Sequence, residues 1–176
     1  GYEYLVRASY EMNRDTDVLF QYRQESKGIN LSSDTASFRQ VKNGVRRNAM
    51  LVFEHRPSES LRLKTRLHHS AFSLNDSLSY GWVAAQDVSY TWKQLKLDAR
   101  VALISTDNYQ NRQYLYENDL LYSFSVPAYA GRGFRYYLLM RYKLNRYLSS
   151  WVRWSTTIYE DRDVVGSSLD EIEGNR

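Results

Sequence analysis

The sequence predicts an all-β fold: an antiparallel up-and-down meander that forms a transmembrane β-barrel of the outer-membrane type, or a part of a larger one. Three observations lead there. Apolar and polar residues alternate with a period of two along most of the chain. Short turns at one end of the strands alternate with longer polar connections at the other. The aromatic residues of the apolar side gather toward the strand ends.

The alternation is clearest in Leu61-Arg-Leu-Lys-Thr-Arg-Leu-His-His69. Leu61, Leu63, Thr65 and Leu67 take one side, and Arg62, Lys64, Arg66 and His68 the other. Successive side chains of a strand point to opposite faces, whereas a helix would spread these charges around its circumference. In chain order, Tyr4, Val6, Ala8, Tyr10 and Met12 alternate with Leu5, Arg7, Ser9 and Glu11. Val18, Phe20 and Tyr22 follow, then Ala49, Leu51 and Phe53. Tyr80, Trp82, Ala84, Val88, Tyr90 and Trp92 form the next apolar row, broken by Gln86. The last rows are Leu97, Ala99, Val101 and Leu103; Phe134, Tyr136, Leu138, Met140 and Tyr142; and Leu148, Val152, Trp154 and Ile158.

Short turns are predicted at 13–16, 56–59, 93–94 and 145–146, and longer loops at 26–37, 73–77, 107–113 and 160–172. Barrels of the outer-membrane type combine alternating segments of about ten residues, turns of unequal length at the two ends and aromatic girdles. The strands read as roughly ten to fourteen residues, against ~5–6 in ordinary sheets. Tyr10, Phe53, Tyr90, Trp92 and Tyr142 lie toward the short turns, and Tyr22, Tyr80, Trp82 and Tyr136 toward the long loops. With Trp154 these are the candidate membrane-interface aromatics, because each ring has an apolar body and, in Tyr and Trp, a polar tip. The competing reading is a soluble β-sandwich or barrel that binds a ligand or partner, its apolar face turned inward.

Strand direction supplies a further expectation. If short turns lie on the periplasmic side, residues 95–104 run outward and 134–142 inward, so 114–126 cannot be an ordinary membrane strand between them. Residues 107–133 are therefore read as one long outer connection, with a hairpin over 114–118 and 120–127. Pro127 lacks the N–H that a central strand needs. Glu117 and Asp119 are expected to pair with basic wall residues and hold this segment over or in the barrel mouth. About eight spanning strands result, within a single domain over 1–176. The ends of the sequence are read as cut from a longer chain.

Composition narrows the function classes. The 176 residues include 16 Tyr, no Cys and a net charge of +4, which excludes disulfides and thiolate metal sites. The mean hydropathy of −0.63 beside an aromatic fraction of 15% fits interleaved polar and apolar residues. The pI of 9.2 is weak evidence for an anionic partner. On the polar side, Arg7, Arg23, Arg46, Arg62, Lys64, Arg66, Arg100, Arg135, Arg141 and Arg153 accompany Glu11, Glu54, Asp87 and Asp98. These residues are read as lumen-facing. They form either a salt-bridge lattice filling a narrow barrel or a basic pore lining that favours anions.

No catalytic residue, metal or cofactor is predicted. His68 and His69 are adjacent and face opposite ways in a strand, so they cannot chelate one ion. His69 falls on the apolar side, which keeps a membrane-embedded lipid hydrolase as a minor alternative. Asp161, Asp163, Asp170 and Glu171 lack the spacing of a calcium loop, and Gly131-Arg-Gly133 precedes no helix, so it is not a phosphate loop.

The most individual stretch is Tyr116-Glu-Asn-Asp-Leu-Leu-Tyr-Ser-Phe-Ser-Val-Pro-Ala-Tyr129, followed by Gly131-Arg-Gly-Phe-Arg-Tyr-Tyr-Leu-Leu-Met-Arg-Tyr142, Val152-Arg-Trp154 and Gly166-Ser-Ser-Leu-Asp-Glu-Ile172. It resembles the carboxy-terminal barrel-like region of helix-hairpin-helix domain-containing proteins of the Bacteroidota. The resemblance is sharp over 114–174 and a matter of pattern before that. It implies residence in the bacterial outer membrane and helix-hairpin-helix repeats upstream. No such repeat is present here, so no direct nucleic-acid contact is expected from this segment. The expected partners are the lipid bilayer and other outer-membrane or periplasmic proteins, and the expected role is a non-catalytic membrane anchor or a porin-like channel or transport component.

Overall fold

The computed structural model describes residues 1–31, 40–75, 77–162, 164–165 and 172–174. Eight long strands make one antiparallel sheet, each paired with the next in order. They are β1 (Tyr2–Asn13), β2 (Thr16–Leu31), β3 (Gln40–Ser58), β4 (Leu61–Leu74), β5 (Ser77–Trp92) and β6 (Leu95–Thr106), then, beyond two two-residue strands, β9 (Arg132–Lys143) and β10 (Ser149–Tyr159). The short strands are β7 (Gln113–Tyr114) and β8 (Ala128–Tyr129), which pair with each other. β11 (Val164–Val165) and β12 (Ile172–Glu173) form another such pair. Among the described residues the sheet is open: β1 and β10 are its edges, so closure into a barrel is not part of this structure.

The strand directions follow from the turns. β6 and β9 are antiparallel neighbours, so residues 107–131 leave and re-enter the sheet at the same end. The excursion keeps a hairpin-like ladder, with Gln113 opposite Tyr129, Tyr114 opposite Ala128 and a bridge from Glu117 to Ser125. The hairpin expected over 114–118 and 120–127 is thus reduced to these pairs. Pro127 offers no N–H, and the chain at Tyr122 takes a positive φ of 65°.

Three other expectations need correction. Residues 26–31 are not loop: β2 continues to Leu31 and pairs with Gln40–Val45 of β3. Their polar composition suggested a loop, but backbone pairing with a neighbour is indifferent to side-chain polarity. The rest of the 26–37 loop reading lies on residues outside those described. Of the loop expected over 73–77, Ser73 and Leu74 belong to β4 and Ser77 to β5, paired as Ser73 with Leu78 and Leu74 with Ser77, while Asn75 takes the left-handed conformation at φ 49° and residue 76 lies outside the described residues. Strand β3 runs to Ser58 through a register shift between His55 and Ser58, which takes Pro57 out of the ladder and moves the turn to 59–60.

Candidate functional site

Direct pairing partners share a face of a sheet, so the register sorts every side chain. One pairing row runs Glu11, Asp17, Glu54, Lys64, Asp87, Arg100, Tyr137 and Ser155. Arg7, Arg23, Arg46, Arg62, Arg66, Asp98, Arg135, Arg141 and Arg153 fall on the same face by parity with it. Tyr10, Tyr22, Phe53, Tyr80, Trp82, Tyr90, Trp92, Tyr136, Tyr142 and Trp154 fall on the other. Tyr22 and Trp154 lie in the middle of β2 and β10 rather than near an end, because β2 is longer than its apolar run and β10 begins at Ser149. Gln86 does interrupt the apolar face, and there it accepts a 2.6 Å hydrogen bond from the cross-strand Thr65 hydroxyl.

The two faces have inverted solvent exposure. On the apolar face Trp82 is 45% exposed, Val101 55% and Trp154 59%. On the polar face of β6 Arg100 is 2% exposed and Asp98 5%. The cause is segment 107–131, which lies across the polar face of the β4–β10 half of the sheet. A single 3-10 turn at Tyr109–Asn111 docks on β4 and β5. Its Asn111 amide donates to the Ser79 hydroxyl at 2.8 Å, and its carbonyl accepts from the Ser70 hydroxyl at 3.0 Å. Gly81 permits this approach, since a Cβ there would stand 2.8 Å from Asn111 Cβ and 2.9 Å from Ser70 Oγ. Leu115 and Tyr129 then pack on Val83, Ala85, Ala102 and Ile104 in one buried cluster. Burial of Leu115 alone contributes about 1.5–3 kcal/mol. The segment ends at Gly131, whose φ of +88° turns the chain back into β9.

Glu117 is the hub of the contact. It is fully buried and accepts from Arg135 at 2.7 and 2.9 Å, from the Tyr129 hydroxyl at 2.7 Å and from Arg153. Arg153 also approaches Asp119 at 3.6 Å. Burial by itself would raise the Glu117 carboxyl. The bonds from Arg135 and Tyr129 and the charges of Arg135 and Arg153 outweigh it and hold the group below the usual carboxylate range. The same burial, reinforced by the Glu117 charge, pushes the Tyr129 phenol upward.

Elsewhere on the polar face the charges form a lattice. Glu54 meets Lys64 at 2.7 Å, Arg56 at 2.8 Å and Arg62 at 3.9 Å. Asp87 meets Arg66 at 3.1 Å and is held by both arms of Arg100. Asp98 accepts from Ser89 and lies 3.7 Å from Lys96. Glu25 and Glu3 take Arg23 at 3.1 and 3.0 Å, and Arg46 reaches over to Gln110 of the covering segment at 3.2 Å. Arg7 bonds Gln21 at 2.6 and 2.9 Å, while Glu11 and Arg141 make no ion pair among the described residues. Arg7, Glu11 and Arg141 are exposed, because the segment does not reach them.

His69 lies on the apolar face between Ala49 and Trp82, 6.0 Å from the Tyr80 ring, and no serine hydroxyl bonds it among the described residues. Among those residues no cluster of three or more His, Cys, Asp or Glu could hold a metal ion. Asp161 pairs with Arg162 at 3.0 Å, and that bond holds its carboxyl below the ordinary range. Asp163, Asp170 and Glu171 lie outside the described residues.

Sequence reasoning anticipated the pairing of Glu117 and Asp119 with wall arginines. It missed Tyr129, Tyr137, Asn111 and Gly81. One signal was available: Val83, Ala85, Ala102, Ile104, Tyr137 and Leu139 are apolar or aromatic residues on the charged face of three adjacent strands, a patch that something must cover. No protein family, curated protein or solved structure matches the chain.

Proposed function

We propose that this chain is wall and plug of a bacterial outer-membrane β-barrel, a non-catalytic membrane anchor or channel component with a basic polar interior. The observation that carries the reading is the inversion of the sheet: a broad apolar face left bare while arginines and aspartates are buried beneath a folded segment. A monomer in water rarely exposes a contiguous apolar patch beyond a few hundred Å². Against lipid tails the same face is satisfied, with tyrosine and tryptophan toward the interfaces. The resemblance of 114–174 to the barrel-like region of Bacteroidota helix-hairpin-helix proteins agrees with it.

The open edges bear on barrel size. Unpaired backbone groups do not persist in a bilayer core, so β1 and β10 need partners there. They run antiparallel and could meet. However, an eight-stranded barrel interior is just filled by its own side chains, and this sheet must also house the 107–131 segment. A wider barrel, completed by further strands, accommodates both, with the segment as its plug.

The folded protein should require detergent and should migrate differently before and after boiling on a denaturing gel. A detergent-free, monodisperse monomer would overturn the membrane reading in favour of a soluble β-sandwich or barrel that binds a partner.

A further inference from the structure

The bare face carries a small polar site of its own. Among the described residues no Asp or Glu falls on that face in any of the eight strands, and its only Arg or Lys residues are Arg47 and Arg132. Arg47 is exposed and makes no ion pair among the described residues. It shares a pairing row with Tyr4, Gln24, Ala71 and Tyr80, toward the end of the sheet that carries the long connections. A guanidinium turned to lipid is tolerated at the level of such a tyrosine belt and strongly disfavoured at the midplane.

The guanidinium is held without being saturated. Its Nε donates to Gln24 Oε1 at 3.2 Å, an oxygen that also accepts from the Tyr22 hydroxyl at 3.0 Å. Gln24 Nε2 in turn donates to the Tyr2 hydroxyl at 3.0 Å. This chain leaves the two terminal nitrogens of Arg47 and the proton of Tyr2 with no acceptor among the described residues. Beside it the exposed rings of Tyr2 and Tyr4 lie parallel, 6.3 Å between centroids and 4° between planes. Two residues along β3 from Arg47, roughly 7 Å, Ala49 sits between Tyr22 and His69 in the next pairing row. Here the same face is indented by a groove of about 300 Å³, lined on this side by Phe20, Ala49, Leu51, Leu67, His69 and Trp82.

We propose that this surface binds one phosphorylated glycolipid of the lipid A kind, with its phosphate on Arg47, a sugar ring against Tyr2 and Tyr4 and one acyl chain in the Ala49 groove. The phosphate oxygens match the free arm of the arginine fork, on a face that offers no carboxylate to compete for it. A tyrosine presents an apolar ring and a polar tip, which suits the apolar face and the hydroxyls of a sugar. A phospholipid fills the groove and meets Arg47 but leaves the tyrosine pair unused. The inference rests on the membrane reading, in which the long connections lie outside and this end of β3 meets the outer leaflet.

The test is native mass spectrometry of the folded protein in an uncharged detergent, titrated with monophosphoryl lipid A. One lipid per chain is expected to stay bound. Dephosphorylated lipid A and phosphatidylglycerol should each bind at least about tenfold more weakly, which is about 1.4 kcal/mol. Arg47→Gln removes the charge, and Ala49→Leu fills the groove without touching the charge; each should weaken lipid A binding by a similar factor. Arg7→Gln, on the opposite face, should leave it unchanged. Absence of bound lipid, wild-type binding in Arg47→Gln or Ala49→Leu, or phosphatidylglycerol binding as tightly as lipid A would overturn the site. Heat-dependent gel migration and the need for detergent, measured on each protein, report the membrane reading separately: a protein that keeps both and holds no lipid A refutes the site alone.

Discussion

Replacing Glu117 by Gln keeps the shape of the hub and removes its charge. The two oxygens of Glu117 hold both arms of Arg135, one arm of Arg153 and the Tyr129 hydroxyl, and the carboxylate has no contact with solvent. An amide offers one acceptor oxygen and places an NH₂ against a guanidinium. Removing one partner of a buried pair costs about 3–5 kcal/mol because the remaining charge is uncompensated. Asp119, at 3.6 Å from Arg153, takes up part of that load, so the lower end applies, about 3 kcal/mol. That loss acts on the docking of residues 113–129 and not on the eight-stranded ladder. The tip of the segment carries Tyr122 and Phe124, 99% and 78% exposed, and so presents a chymotrypsin site. Cleavage there should accelerate on the order of a hundredfold in Glu117→Gln, while the heat-dependent gel shift of the sheet stays. The pH dependence has a defined sign. Because the folded carboxyl lies below its ordinary value of 4.5, its contribution is complete above that value and is lost as pH falls through the lower folded one. Wild-type protection should therefore fade only under acid conditions, and Glu117→Gln should lack that step. Equal cleavage rates in the two proteins at neutral pH would refute the hub.

Two further predictions separate the faces and the docking. Leu67→Arg, on the bare face opposite Leu51 and Ala84, should cost about 2–4 kcal/mol of folding free energy in bilayers. Lys64→Leu, on the other face, should cost less, about 1 kcal/mol, since half-buried Glu54 loses its 2.7 Å partner but keeps Arg56 at 2.8 Å; urea-titration midpoints in vesicles that move equally would contradict the face assignment. Gly81→Ala places a methyl against Asn111 and Ser70 and should cost about 1–3 kcal/mol through overpacking. The loss should appear as faster backbone hydrogen exchange at 109–113 with β4 and β5 unchanged, and unaltered exchange there would mean that the 3-10 turn does not depend on the missing side chain.

The meander was legible in the sequence because its information is local. A period of two sorts side chains between faces, and the spacing of turns at Asn13, Glu59, Lys93 and Asn145 fixes which strand follows which. The division of Arg62, Lys64 and Arg66 from Leu61, Leu63 and Leu67 needs no knowledge of any neighbour. The same local rule misjudged residues 26–31, whose pairing with 40–45 is decided across the hairpin. It was also silent on Tyr137 and Gly81, which interrupt the pattern without stating a reason.

By itself, then, the sequence determined the strands, their order, their directions and the two chemically opposed faces, since each depends on residues a few positions apart. Only the tertiary structure decided that the charged face would be the covered one over β4–β10, and that Glu117 would gather Arg135 and Arg153 from 18 and 36 residues away. Those outcomes depend on where a long excursion folds back and what volume it fills. No periodicity encodes that, because packing and charge pairing act through space and are indifferent to separation along the chain.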